Sequence, residues 1–337
     1  MTIKKVKLAD IAELAGVSKS TVSFVLNGHA QKHRINEETV KKVQAIAKAN
    51  NYSPSSYARA LKSKQTYTAG LVIPDLTNMG FATIAKHLET YCRAAGYQLL
   101  IASSDDDLET EMAAIQSLIA RQVDLLLVAS SMTDPSYLEQ IGQNTPVILF
   151  DRVIKGTTLS SVTTDAAAAT QQVVEKLVQG VDECIYIGGQ LELSPSIDRF
   201  TGYQAGLKGA GLEFKAAHVF SQDYQPQSGY QMLAQAFQEL ARPPQAIFTA
   251  SYSLLEGVLR YLTEHNMLQA DIRLATFDNY DILDCLPFHI HSVEQDCQLI
   301  AQTLFETSRA LIQTPDRRSE TRVLPAKVHF RSRAQSV

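Results

Sequence analysis

The chain has 337 residues, 45% hydrophobic and 20% charged, which is length enough for a small head and two further lobes of roughly 130 residues each. No apolar run approaches the ~18 residues of a membrane span, and the basic start KKVK leads into no apolar segment of the kind that directs export. The net charge of −4 conceals a division: residues 1–64 carry twelve Lys and Arg against four acids, a net +8, so residues 65–337 carry −12. A basic head on an acidic body draws phosphates to one end only.

The first predicted elements lie in LADIAELAGVSKSTVSFVLN, residues 8–27. Leu8, Ile11, Ala12 and Ala15 form one apolar stripe at helical spacing, and Gly16 marks a sharp turn. Ser18 suits the N-cap of a second helix, in which Val22, Val25 and Leu26 face inward and Lys19, Ser20, Ser23 and Phe24 face away. A glycine turn between two such helices is the helix-turn-helix plan, whose second helix enters the DNA major groove; an ordinary helical hairpin is the plainer alternative. A third helix follows, with Asn36 as cap, Glu37 and Glu38 at the positive end of its dipole, and Val40, Val43 and Ala47 inward. In NNYSPSSYARALKSK, Ser53 reads as an N-cap and Pro54 as the first residue of a helix ending near Leu61. So short a helix is marginal in water and needs something to form against.

From residue 67 the pattern changes to apolar runs separated by helix-length segments. YTAGLVIP, YQLLIAS, DLLLVAS and PVILF read as strands, with helices near 80–95, 108–122 and 134–142; ECIYIGG, HVFS, QAIFTAS and IRLATF repeat the rhythm. LPFHIHSV and RVLPAKVHF read as further strands. Continuous apolar strands joined by helices imply parallel sheets covered on both faces, so the body is expected to be α/β with two lobes and a cleft at the carboxyl ends of the strands. Candidate ligand groups are the polar residues at those ends. They are Asp75 to Phe81 (Asn78 and Phe81 among them), Asp105 and Asp106, Ser130 and Ser131, Asp151 and Arg152, Ser194 to Arg199, Ser251 and Tyr252, and Asp278. A carboxylate accepts from vicinal hydroxyls and a guanidinium donates through a planar fork, so the residues suit a small polyol, neutral or anionic.

Cys92, Cys184, Cys285 and Cys297 are scattered with no C-x-x-C pair, as expected of reduced thiols in a cytoplasm. Cys285, His289, His291 and Cys297 lie near one another in sequence. On a strand the two histidines share a face while Cys297 falls beyond it on a helix, so the reading is against a zinc site, and no metal or cofactor is expected.

The run DIAELAGVSKSTVSFVLNG, the third helix, YSPSSYARALKS and GLVIPDLTN together resemble the LacI/GalR family of bacterial transcription regulators along the whole chain. NGHAQKHRI, LIARQVDLLLVASSM, VILFDR and GGQLELSPSIDRF resemble its sucrose-operon repressors, beside the fructose-repressor and catabolite repressor-activator branch. The resemblance implies a helix-turn-helix head over 1–52, a hinge helix and linker over 53–66, and a periplasmic-binding-protein-like core over 67–337. It implies further that Arg199 and Asp278 hold the effector, that Asp151 is a polar pocket residue, and that the inducer is fructose or fructose 1-phosphate. Many sugar-responsive members carry Asn-Asp where this chain has Ser251-Tyr252, so the effector does not transfer from galactoside-responsive relatives.

On this reading the protein is a dimeric repressor of a sugar operon, expected to be that for sucrose, released from a palindromic operator by sugar. A fructose or central-carbon repressor-activator is the alternative. Lys19 reaches guanine acceptors, Ser20 either kind of base edge, and Phe24 a thymine methyl, while Ser18, Thr21, Ser23 and Asn27 are placed for phosphates. By family analogy Leu61 of each subunit wedges into the minor groove, with Arg59 and Lys62 on phosphate or groove contacts. After RVLPAKVHF the sequence RSRAQSV holds no leucine heptad, so a dimer is expected. A repressor-type sugar kinase would need a phosphate-cradling glycine loop, and Gly188-Gly189 lacks that spacing. The basic head argues against a transport binding protein, and no catalytic series stands out, so no enzyme is expected.

Overall fold

A computed structural model describes residues 6–52, 65–268, 270–314 and 318–331. The chain divides into two compact units, 1–67 and 68–337. The hinge-helix expectation, with Arg59, Leu61 and Lys62, lies outside the described residues.

The head is built from α1 (Leu8–Ala15), α2 (Lys19–Leu26) and α3 (Glu37–Ala49). Gly16 ends α1 at φ +65°, a left-handed conformation that glycine reaches without a Cβ penalty, and Val17 N donates back to Ala12 O at 3.1 Å. Ile11, Ala12 and Ala15 of α1, Val22 and Val25 of α2, and Val43 and Ala47 of α3 form the core, with Leu8, Leu26 and Val40 half-buried around it. The predicted apolar stripes are the ones that meet.

The body contains two six-stranded sheets. In the first, β1 (Thr68–Ile73), β2 (Gln98–Ser103), β3 (Leu125–Val128), β4 (Val147–Phe150), β5 (Ser160–Thr164) and β11 (Thr321–Leu324) run parallel in the order β11-β5-β4-β3-β1-β2. Helices α4 (Met79–Ala94), α5 (Leu108–Ala120) and α6 (Ser136–Gly142) connect them. Alternate strand residues feed opposite cores. Leu71, Ile73 and Leu127 pack on one face with Ile84 and Leu88 of α4, and Val72, Leu126 and Val128 on the other with Ile115 and Leu118 of α5. This two-sided burial is why the strands read as unbroken apolar runs.

The second sheet has the order β12-β10-β9-β8-β6-β7. Its strands are β6 (Ile185–Gly188), β7 (Val219–Ser221), β8 (Ala246–Thr249), β9 (Arg273–Phe277), β10 (Ile290–Gln295) and β12 (Ala326–His329), parallel except that β12 lies antiparallel on β10. Helices α7 (Ala166–Leu177), α8 (Ser194–Gly209), α9 (Pro226–Leu240) and α10 (Tyr252–Glu264) belong to this lobe, whereas α11 (Cys297–Gln313) packs Ile300, Ala301 and Leu304 into the first. The chain therefore crosses between lobes after β5, after β10 and between β11 and β12. The crossings lie side by side: Asp165 N donates to Leu324 O at 2.8 Å, and Thr164 Oγ1 to Gln295 Oε1 at 3.1 Å.

One expectation needs correction, and one strand carries no sequence signal. RVLPAKVHF is not one strand, because Pro325 interrupts it and its halves join different sheets. SSVTT, with no apolar run to announce it, is the buried strand β5, in which Ser161 pairs with Thr321 Oγ1 at 3.1 Å and Ser160 Oγ accepts from Glu320 N at 3.3 Å.

Candidate functional site

The strand ends of the two lobes face one cleft of about 660 Å³, its open mouth included. Asp75 and Asp106 reach it from beyond β1 and β2, and Asp151 and Arg152 from beyond β4. Arg199 comes from α8, Tyr224 from beyond β7, Ser251 and Asp278 from beyond β8 and β9. Gln295 and Cys297 flank one of the crossings. Asp106, Asp151 and Asp278 turn off their strands with φ of +58°, +59° and +73°. Aspartate tolerates this left-handed region better than most residues, and its appearance here fits the concentration of backbone strain at working sites. Val153 N of the first lobe donates to Ser194 Oγ of the second at 2.8 Å, a direct tie across the cleft.

The charges are arranged in opposition. Arg199, 6% exposed, donates from Nη1 to Ala250 O at 2.7 Å and lies 3.9 Å from the Phe277 ring centroid. Burial works against its charge, and Tyr224, Asp278 and Asp151 more than offset it. Arg152, 5% exposed, donates to Asp106 and, at 2.7 Å, to Ser131 Oγ. Burial pushes the Asp151 carboxyl above its ordinary range, against the pull of Arg199 and Arg152. Asp278 accepts from Tyr252 N at 3.3 Å and from Gln295 Nε2 at 3.0 Å, which fixes its orientation. The N-terminal ends of α4, α8, α10 and α11 also line the cleft through Asn78, Pro195, Ser251 and Cys297. Their dipoles favour negative charge and offset the aspartates. Burial, with Asp278 and Asp296 nearby, pushes the Cys297 thiol up to about 12, which favours the protonated form.

Of the candidate ligand residues, Asn78, Phe81, Asp151, Arg152, Arg199, Ser251 and Asp278 line the cleft together. Asp105, Ser130 and Tyr252 are not among its lining. Asp105 accepts from Ser103 Oγ at 3.2 Å, and Ser130 turns inward to donate to Glu111 Oε1 at 2.5 Å. Tyr252 supports from behind, through its N–H on Asp278 and an edge contact to Tyr280 with ring centroids 4.7 Å apart. Asn78 and Ser251 also cap their helices, Asn78 accepting from Gly80 N at 3.0 Å and Ser251 from Leu254 N at 3.2 Å. Sequence reasoning missed Tyr224, Gln225 and Gln295 as cleft residues. Gln295 satisfies the same rule as the rest, a polar residue at a strand's carboxyl end, but the apolar signal of β10 stops at Val293, two residues short of it. Among the described residues no group of three His, Cys, Asp or Glu is gathered for a metal, and His291 Nδ1 instead accepts from Arg331 N at 3.1 Å.

On the head, Ser18 Oγ accepts from Thr21 N at 3.1 Å and pairs with Thr21 Oγ1 at 2.9 Å, so these hydroxyls anchor the start of α2. Asn27 Nδ2 closes its other end on Ser23 O at 2.7 Å. Lys19 and Ser20 are exposed on the first turn of α2, and Phe24, one turn on, stacks on His33 with ring centroids 3.5 Å apart. That stack joins α2 to the loop 28–35, which carries exposed Lys32 and Arg34.

A basic helix-turn-helix head with a two-lobed α/β body and a polar cleft defines a ligand-responsive DNA-binding regulator. Residues 7–55 match the family model for bacterial regulatory proteins of the lacI family, and residues 69–282 match that for a periplasmic binding protein domain. The chain belongs to the LacI family. It is 42% identical over 332 residues to the sucrose operon repressor of Klebsiella pneumoniae, covering 98% of this chain and 99% of that one. The Cra transcriptional dual regulator from Pseudomonas putida, solved in complex with fructose 1-phosphate, superposes with a TM-score of 0.74 and 33% identity, covering 79% of this chain and 99% of that one. The lac repressor dimer bound to operator and anti-inducer gives 0.84 and 25% identity, over 97% and 98% of the two chains.

Proposed function

We propose that this protein is a cytoplasmic, dimeric repressor of a sugar-utilisation operon, that for sucrose, and that a phosphorylated fructose such as fructose 1-phosphate releases it from a palindromic operator. The observation that carries the effector reading is the pair of buried guanidiniums, Arg152 from one lobe and Arg199 from the other, facing one cleft with Asp151 and Asp278. Arginines supply forked donors to a phosphate, and carboxylates accept from sugar hydroxyls. The likeness to the Klebsiella sucrose operon repressor supports the operon reading, and the fructose 1-phosphate complex of the Pseudomonas regulator supports the effector reading.

On the operator, Lys19, Ser20 and Phe24 read base edges, and Ser18, Thr21, Ser23 and Asn27 set register on phosphates. Residues 53–66 serve as the hinge, with Leu61 in the minor groove flanked by Arg59 and Lys62. Effector binding in the cleft changes how two hinges meet. A coupling of about 1–3 kcal/mol, or 5–150-fold in operator affinity, is usual for such switches and must act equally in both directions. The test is a gel shift with fructose, fructose 1-phosphate and sucrose, beside calorimetry of each with and without operator. Release by fructose 1-phosphate, with operator weakening its binding by the same factor, is expected. Release by sucrose alone, or no effect of any of them, overturns the reading.

A further inference from the structure

Arg152 already has an anionic partner within its own chain. Its Nη1 donates to Asp106, and the Asp106 side chain, 23% exposed against 6% for Arg152, borders the cleft. The pair is built in firmly: Ser131 Oγ donates to Asp106 Oδ1 at 2.8 Å, and Glu111 behind it accepts from Ser130 Oγ at 2.5 Å and Ser131 N at 2.8 Å. Glu111 is fully buried, so these bonds cannot be exchanged for water at low cost.

We propose that Asp106 is a specificity-determining residue, an internal counter-anion that lets phosphorylated sugars bind while rejecting inorganic phosphate. This rests on the reading of the cleft as a sugar-phosphate site. Any incoming phosphate must take Arg152 from Asp106 and then lie beside that carboxylate. At Arg152 a bare phosphate gains only an exchanged bond, close to neutral, so Arg199 and the helix ends alone must outweigh the repulsion that remains. A sugar phosphate also engages Asp151 and Asp278 through its hydroxyls, and those contacts carry the exchange. A neutral sugar leaves the Arg152–Asp106 pair intact and draws nothing from it.

The experiment compares the full-length wild-type protein with Asp106→Asn, titrated by calorimetry with fructose 1-phosphate, fructose and inorganic phosphate. Asparagine keeps an acceptor for Ser131 and Arg152 and removes the charge. Inorganic phosphate is expected to bind the variant at least about tenfold more tightly, the order set by one charge beside a charge-assisted bond. Fructose 1-phosphate, whose phosphoryl group meets the same carboxylate, should tighten by a comparable factor from an affinity already measurable in the wild type, and fructose should be unchanged. Thermal melting checks the fold, and Asp106→Ser run alongside keeps the result independent of one variant's folding. Equal phosphate affinity in variants and wild type overturns the inference while leaving the sugar-phosphate reading intact. Weakened fructose 1-phosphate binding with unchanged phosphate binding also overturns it, because Asp106 then holds a sugar hydroxyl. Failure of fructose 1-phosphate to bind any of the proteins removes the underlying reading and the inference together.

Discussion

Replacing Arg199 by Met tests the cleft most directly, because the guanidinium is tied to both its lobe and its proposed ligand. Methionine fills the space over Phe277 and keeps a favourable sulfur–aromatic contact, so packing changes little. What is lost is a charge-assisted donor to the effector, worth about 1.5–3 kcal/mol, or roughly 10–150-fold in affinity. The Ala250 carbonyl loses its 2.7 Å donor, and Asp151 and Asp278 lose the cation between them. Breaking such a buried charge set costs about 3–5 kcal/mol, which in a body of this size lowers the melting temperature on the order of 10 °C. The pH dependence carries the sharper signature. The Asp151 carboxyl is already raised by burial and rises further without Arg199. A group raised in the folded state gives stability that is present below its unfolded value, about pH 3.9, and lost as pH rises through the folded value. The deficit of the variant should therefore be small near pH 4 and full at pH 7–8. Melting curves across that range, with calorimetry of fructose 1-phosphate at neutral pH, measure both effects. Undiminished sugar-phosphate binding, or a melting deficit that does not change with pH, would refute this assignment of charges.

Gly257→Ala should lower stability by about 1–3 kcal/mol with operator contacts untouched, since a Cβ there would sit 1.9 Å from Pro226 O, a backbone atom of the neighbouring α9; an unchanged melting temperature contradicts the close helix crossing. Ser18→Ala removes the cap of α2 and should cost the head about 1 kcal/mol, weakening operator binding while leaving effector affinity as it was, which gel shift and calorimetry separate. Arg331→Met removes donors to Asp284 Oδ1 at 2.6 Å, Ser292 Oγ at 2.7 Å and Asn279 Oδ1 at 2.7 Å. Because Asn279 adjoins Asp278, effector affinity should fall severalfold along with the melting temperature, and a fall in stability alone would show that the anchor does not reach the cleft.

The helix-turn-helix head and the alternation of strands and helices could be read from sequence because both write themselves in periodicity. Leu8, Ile11, Ala12 and Ala15 share a stripe only on a helix, and LLLV is buried on both faces only in a covered sheet. The rule placing ligands at strand ends picks out Asp151, Arg152 and Asp278, which line the cleft, while Arg199, which the family resemblance singles out, reaches it from within α8. That rule failed where chemistry and position part company. Ser130 stands at a strand end like the others, yet an acid nineteen residues earlier in the chain, Glu111 on α5, turns its hydroxyl inward. β5 was invisible because its buried hydroxyls bond to residues 320 and 321, a partner brought in by tertiary structure alone. Tyr224 lies in a stretch, DYQPQ, that carries every mark of an ordinary loop; it reaches the cleft because the bare backbone of Gly189 lets its ring lie close.

The separation of residues 321–324 from 326–329 at Pro325 has a consequence for synthesis. Each half supplies an outer strand to a different lobe, so a growing chain on the ribosome holds two unfinished sheets until the same few residues emerge. Both lobes reach full strand complement within moments of each other, and a proteolytic cut just ahead of Thr321 would detach both outer strands from the rest of the chain at once. A nascent copy with a finished head is thus denied a working sensor until translation has passed this point.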